Sequence, residues 1–232
     1  MIDCELHINW ESNVQIGKET IGEFKAENPV KAFYNDKYKL HLLFPSIVNG
    51  GILDKNAPLD VCRSREEDTF FNSWDEIKHN IILNWVDNID ETAQNGISLF
   101  SDHTTSYLHG KNYPLGLTVQ YSGIGLWGRN YKIAEPTIVH YAILPHSGDW
   151  RSADVPQHNI RWNEPLLTLN VSNVQKASAS LFEFSQQGYE IMACYIDKDN
   201  TCLRIANTGI GNKIAELRIR GNYEDLRWVE LD

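Results

Sequence analysis

The sequence predicts an all-β fold, an antiparallel sandwich. Three observations carry this. Apolar and polar residues alternate in run after run, turn residues separate the runs, and no stretch holds a sustained helical period. Cys4, Leu6, Ile8 and Trp10 alternate with Glu5, His7 and Asn9. Tyr38, Leu40, Leu42 and Phe44 alternate with Lys39, His41 and Leu43, and Leu117, Val119 and Tyr121 with Thr118, Gln120 and Ser122. Further strand-like runs are Ile81–Val86, Ile97–Phe100, Thr137–Leu144, Ile191–Ile196, Cys202–Ala206, Ile214–Ile219 and Leu226–Leu231. Each run offers one dry face and one wetter face, and roughly ten short strands of this kind read as a sandwich. Asp197-Lys198-Asp199-Asn200 makes a turn between two of them. Glu66–His79 crowds Phe70, Phe71 and Trp74 and reads as a loop with at most one helical turn. The small, polar segment Val174–Ser180 places a soft boundary between Pro165 and Ser185. The expected division is a main sandwich over 1–170 and a C-terminal group of strands over 171–232.

The chain has 232 residues, long enough to bury a sizeable core, and its 42% apolar and 22% charged composition excludes wholesale disorder. Its net charge of 21 − 31 = −10 argues against nucleic acid as a partner, since no cationic excess exists to displace counterions. No run approaches the roughly 20 apolar residues that cross a bilayer, so no membrane partner is expected. Met1-Ile2-Asp3-Cys4-Glu5 lacks the basic and apolar regions of a signal peptide, which points to a cytoplasmic protein or to a natural chain that begins earlier. Cys4, Cys62, Cys194 and Cys202 form no C-x-x-C pair, which excludes a zinc ribbon. Cys194 and Cys202 flank a hairpin where a bridge is conceivable, but small buried thiols are the expected state.

Motifs for common chemistries fail on context. Gly123-Ile124-Gly125-Leu126-Trp127-Gly128 matches a dinucleotide fingerprint, yet no helical period follows, so no phosphate-binding helix N-terminus exists there. Ser101, Asp102 and His103 are sequence neighbours, and neighbours on a strand face opposite ways, so they make a poor triad. Asp102, His103 and His109, and likewise His146, Asp149 and His158, lack known metal-ligand spacing, and no metal is expected in this chain. The carboxylate pairs Asp87/Asp90, Glu66/Asp68 and Asp197/Asp199 all read as solvated turn residues, which does not suit a glycosidase acid. Asn170-Val171-Ser172 is an isolated sequon.

Aromatic content is more informative, with seven Trp and ten Tyr. Tyr107, Tyr113, Trp127 and Tyr131 bracket loops that hold Asp102, His103 and Arg129. Aromatic faces stack on sugar rings while Asp, Asn and Arg bond the hydroxyls.

Four stretches together, Trp85-Val86-Asp87, Gly96–Tyr107 with its Ser101-Asp102-His103-Thr104-Thr105, Tyr113–Gly123, and Tyr141–Trp150 with its Pro145-His146-Ser147-Gly148-Asp149-Trp150, form a pattern that Leu203–Asn207 and Val229-Glu230-Leu231 continue. This pattern resembles the C-terminal β region of glycoside hydrolase family thirty-eight α-mannosidases, over most of the chain after about Lys37. Ser12–Asp36 departs from it and reads as an insertion. The resemblance implies a galactose mutarotase-like supersandwich. It also implies a parent enzyme that cleaves terminal α-mannosidic bonds with retention, its nucleophilic aspartate and zinc ligands on an N-terminal barrel that this chain does not contain. No catalytic residue carries over. The chain alone is expected to be inactive, and zinc belongs to the missing catalytic domain. Its expected partners are that domain and an α-mannoside or oligosaccharide.

Asp102, His103, Tyr107, Trp127 and Arg129 are the candidates for a ledge at the sugar site, on two loops: one from Ile97–Phe100 to a re-entry at Leu115, with Tyr107, His109 and Tyr113, the other Gly123–Tyr131. A free-standing carbohydrate-binding sandwich and a purely structural β module are the competing readings. Aromatic crowding in Glu66–Trp85 exceeds what one strand face buries, so a weak homo-oligomer is expected. Analytical ultracentrifugation over rising concentration should show a drift toward dimer; a strict monomer throughout contradicts it.

Overall fold

The computed structural model describes residues 1–11, 14, 16, 39–45, 48, 51–58, 60–64, 78–92, 94–110, 113–124, 130–164, 166–170, 179–211 and 214–229. The chain is all-β and antiparallel. Its first strands are β1 (Ile2–Ile8), β2 (Lys39–Phe44), β3 (Ile52–Ala57), β4 (Asp60–Ser64), β5 (Lys78–Ile82), β6 (Trp85–Ile89), β7 (Gly96–Ser101) and β8 (Thr105–Gly110). There follow β9 (Tyr113–Tyr121), β10 (Gly123–Ile124), β11 (Asn130–Tyr131) and β12 (Thr137–His146), then the helix α1 (Val155–Asn163). The last strands are β13 (Phe182–Phe184), β14 (Tyr189–Asp197), β15 (Asn200–Asn207) and β16 (Leu217–Ile219). Two compact units result, Met1–Glu164 and Pro165–Asp232. No helix among the described residues is long and apolar enough to cross a membrane.

The first unit pairs a six-stranded sheet, in the order β1-β12-β7-β6-β3-β4, with a four-stranded sheet, β2-β9-β8-β5. One apolar cluster draws on both. Leu53, Val86, Leu99 and Val139 come from the larger sheet, and Phe44, Ile82, Tyr107, Leu115 and Leu117 from the smaller. These are inward positions of alternating strands, so the two dry faces make the sandwich core. The outer face of the six-stranded sheet is partly covered as well. Trp85, Phe100, Ala142 and Leu144 pack there against Trp150 and Val155, with Trp162 at the margin. The Trp85 and Trp150 rings lie 5.8 Å apart, and the Arg151 guanidinium sits 3.9 Å from the Trp150 ring. Strand β6 is therefore buried along its full length on both faces.

Several expectations change. The run Ile81–Val86 is two strands of different sheets, split by a bend at Leu83-Asn84. Asn56 Oδ1 accepts from the Asn84 and Trp85 amides at 3.1 and 3.0 Å and fixes that bend. Strand β3 carries no strand signal in the sequence, because Asp54, Lys55 and Asn56 are poor strand formers. Arg63 on the adjacent β4 repairs this by donating to both carboxylate oxygens of the buried Asp54, at 3.1 and 3.3 Å. The polar helix α1 also lacked a sequence signal. It starts after Asp154, whose φ of 54° breaks the preceding turn, with Pro156 in its first turn and only Val155 and Pro156 buried. Glu66–Ile77 lies outside the described residues, and Trp85, at 2% exposed, supplies no sticky surface.

In the second unit, β13 pairs with β16 and β14 with β15. The β14–β15 hairpin turns at Lys198-Asp199 as expected, with Lys198 at φ 56°. Cys194 faces Leu203 and Tyr195 faces Cys202, so the two thiols point to opposite faces and both are free. Cys194 is exposed, not a buried hydrophobe. Leu226–Val229 forms no strand and is exposed. Leu166, Leu167 and Trp228 are more than nine-tenths exposed, and both buried apolar clusters found among the described residues belong to the first unit. Urea unfolding followed by Trp fluorescence should show Leu99→Ala losing about 2–5 kcal/mol, because Leu99 is closed on all sides. Leu166→Ala should stay within about 0.5 kcal/mol.

Candidate functional site

The outer face of the six-stranded sheet carries two polar assemblies, one closed and one open. The closed one starts from register. Asp87 on β6 faces Ser98 on β7, and His146 at the end of β12 faces Gly96 on β7. Glycine at 96 leaves the imidazole room to cross β7: a Cβ there would meet the ring at 2.3 Å. His146 Nε2 thus lies 2.7 Å from Asp87 Oδ1, and Ser98 Oγ donates to the same oxygen at 2.8 Å. Ser98 Oγ and His146 Nε2 are 3.1 Å apart. On the other side of Asp87, Asp54 faces it directly and accepts from Arg63. Gly148, at φ 80°, then turns the chain toward Trp150; a Cβ would collide with Ser152 Oγ at 2.2 Å. Asp149 accepts from the Ser152 amide and hydroxyl at 2.9 and 2.8 Å, which fixes that turn.

Serine, histidine and aspartate together suggest acyl transfer, but the geometry denies it. A triad uses both ring nitrogens, one toward serine and one toward the carboxylate. Here Asp87 and Ser98 share Nε2. The Asp87 side chain is wholly buried and that of His146 nearly so, and Ser98 is closed off as well. The site is a structural lock. Burial raises the Asp87 carboxyl above its ordinary value, with Asp54 adding to it, while the bonds from His146 and Ser98 oppose the rise. Asp87 Oδ2 is buried without a hydrogen-bond partner. Burial alone would lower His146, but the Asp87 hydrogen bond and charge, with the backbone of Ser147 and Gly148, outweigh it and raise the imidazole. The buried pair thus holds its proton more tightly than the separate groups would.

The open assembly lies at the β1–β12 edge. Glu5 on β1 faces His140 on β12. Glu5 also contacts His7, and its Oε2 is 3.2 Å from His140 Nε2. His140 Nδ1 is 3.8 Å from Asp102 Oδ2, and Asp102 Oδ1 is 2.6 Å from His103 Nδ1. A line of alternating imidazoles and carboxylates results, His7–Glu5–His140–Asp102–His103. The C-terminal turn of α1 brings Trp162 alongside, its ring 6.2 Å from that of His140 and its Nε1 donating to Asp3 Oδ1 at 2.8 Å.

Of the expected ledge, Asp102 and His103 stand exposed on the turn between β7 and β8. Ser101 beside them is spent on that turn, donating to the His103 carbonyl at 2.7 Å. Tyr107 is a correction: it is fully buried in the sandwich core, and a buried ring cannot stack on a sugar. The expected long loop is instead the strands β8 and β9, with Tyr107 and His109 on one and Tyr113 on the other. Trp127 and Arg129 lie outside the described residues. The glycine-rich segment around them joins β10 to β11, which pair antiparallel.

Asp87 is likewise a correction, since it is buried and not a solvated turn residue. Its expected companion Asp90 caps the β6–β7 turn. Asp90 accepts from the Gln94 amide at 2.9 Å and from Thr92 and Asn95, and these bonds, the Gln94 amide first, hold its carboxyl down to about 2. His146, Asp149 and His158 do not meet: His146 bonds Asp87, Asp149 bonds Ser152, and His158 sits on α1. Ser98, His140 and Trp162 were missed. For Ser98 and His140 the only available signal was an outward polar position on an otherwise apolar strand. No group of three or more His, Cys, Asp or Glu among the described residues is arranged to hold a metal ion. No protein-family model matches the chain, and no curated protein matches it.

The lock sets a pH dependence. His146 binds its proton more tightly folded than unfolded. The stabilisation is therefore full below the ordinary value of 6.5 and fades as pH rises through the raised folded value. Asp87, also raised, acts in the same sense at lower pH. Urea midpoints measured from pH 6 to 9 should fall for the native chain and lose this component in His146→Gln. At pH 6, His146→Ala should cost about 3–5 kcal/mol, because a buried carboxylate is left alone. Gly96→Ala should weaken stability in the same direction, by displacing the ring.

Proposed function

We propose that this chain is the non-catalytic β region of an α-mannosidase-type glycoside hydrolase, of the galactose mutarotase-like supersandwich class, supporting a separate catalytic barrel. One observation carries the reading. The stretches Trp85-Val86-Asp87, Gly96–Tyr107 and Pro145–Trp150 are the ones that resemble that family, and each contributes one residue to the Asp87–Ser98–His146 lock. Residues that look unrelated along the chain are thus one interlocking device, as expected of a pattern that specifies a particular sandwich. The same observation supports a role without catalysis, because the Asp87–Ser98–His146 group is closed to substrate.

No group among the described residues is arranged to hold zinc, and in this reading its ligands come from the barrel. This chain's part is to present a rigid face to the barrel and to border the glycan.

With zinc and an aryl α-mannoside, the isolated chain should give no turnover; chelator-sensitive hydrolysis would falsify the assignment of chemistry to another domain. The reading frame upstream of Met1 should encode a barrel-sized segment rich in Asp and His. Joining that segment to this chain should produce retaining α-mannoside hydrolysis. An upstream frame without such a segment favours a free-standing module.

A further inference from the structure

The six-stranded sheet has one outer face and two treatments of it. Over β6, β7 and the distal half of β12, that face is sealed by Trp150, Val155 and the lock. At the β1–β12 edge the seal stops. Side chains there are open: Glu5, Asp102, His103 and His140 are each between 43% and 46% exposed. Each is nonetheless engaged with the next, and they come from β1, β12 and the β7–β8 turn, with the end of α1 alongside. Trp162 closes one side, half-buried. Phe100 lies 6.3 Å from its ring, and Asn163 donates to the Ser101 carbonyl at 3.4 Å, which ties the end of α1 to the base of that turn.

We propose that this edge is a saccharide-binding platform, formed by Trp162, His140, Glu5, Asp102 and His103, that accepts a hexopyranoside. The chemistry selects that class. The line of groups alternates carboxylate acceptors with imidazoles that can donate or accept, which matches the mixed hydroxyls of a sugar ring beside an aromatic side chain. A metal ion needs donors converging on one point. The imidazoles and carboxylates here run in a line, with His7 and His103 at its opposite ends. Phosphate and other anions meet three carboxylates here, Asp3, Glu5 and Asp102. A simple cation would have to displace imidazoles already paired to those carboxylates.

The platform itself stands on geometry; naming an α-mannoside as its ligand rests on the function proposed above. Sugars bind such open ledges weakly, on the order of millimolar, because few contacts offset the cost of association. The test is a ¹⁵N–¹H titration of the full chain with methyl α-mannoside and, separately, methyl β-galactoside. The Trp162 indole N–H is the reporter, assigned by its disappearance in Trp162→Phe. The expected result is a saturable shift of that resonance with the mannoside, weakened at least about fivefold in His103→Ala and in His140→Ala. Neither histidine belongs to a buried apolar cluster, and the spectrum itself reports that the fold survives. No shift with either sugar overturns the platform and leaves the mannosidase reading to its own turnover test. An unchanged titration in both histidine variants overturns it too. A shift with the galactoside alone upholds the platform and counts against the mannosidase reading.

Discussion

Strand β6 has no wet face, and the first unit is arranged around that constraint. Trp85 through Ile89 are buried in succession. Val86 enters the sandwich core and Trp85 the layer beneath Trp150, while Asp87 must be satisfied without water. A buried ionised carboxylate costs several kcal/mol, and only partners fixed in position offset that. The sheet supplies them from β7 and β12, and Gly96 makes the crossing of β7 sterically free. The same geometry fixes register. A one-residue slip of β6 would turn Asp87 into the apolar interior and Val86 outward, which the pairing of Asp87 with His146 forbids.

The lock also explains the turn that follows β12. His146 is its last residue, and the polar turn at Gly148 and Asp149 must bring Trp150 back onto the sheet within four residues. The left-handed Gly148 and the Asp149–Ser152 bonds achieve this, and α1 begins at once. Covering one part of the outer face with Trp150 and Val155 leaves the other part, at β1 and β12, uncovered. Closed and open polar groups on one sheet are therefore consequences of a single short cover. In the closed group the partners are buried and hold structure; in the open group they are exposed and engaged with one another.

The second unit is built on other terms. Its described strands form two-stranded pairs, which are marginal in water without a covering surface. Its exposed apolar residues, Leu166, Leu167, Ile214 and Trp228 among them, form no buried cluster with one another.

Period-two alternation and turn residues act locally, and they make the fold class, strands β1, β2, β7, β9 and β12, and the β14–β15 turn legible in the sequence. It also singled out Asp102 and His103 as exposed, chemically equipped residues next to a strand end. It did not show β3, where Asp54, Lys55 and Asn56 oppose the propensity and Arg63 compensates from the neighbouring strand. Nor did it show α1, whose buried contribution is confined to Val155 and Pro156. Tyr107 looked like a loop aromatic and is core, since the chain alone does not tell which face of which sheet a ring meets. Only the tertiary structure joined Asp87 to His146, 59 residues apart, and Glu5 to Asp102 through His140. Those contacts come from strand order and from the missing Cβ at Gly96; the glycine is visible in the chain, but the imidazole that crosses it is not.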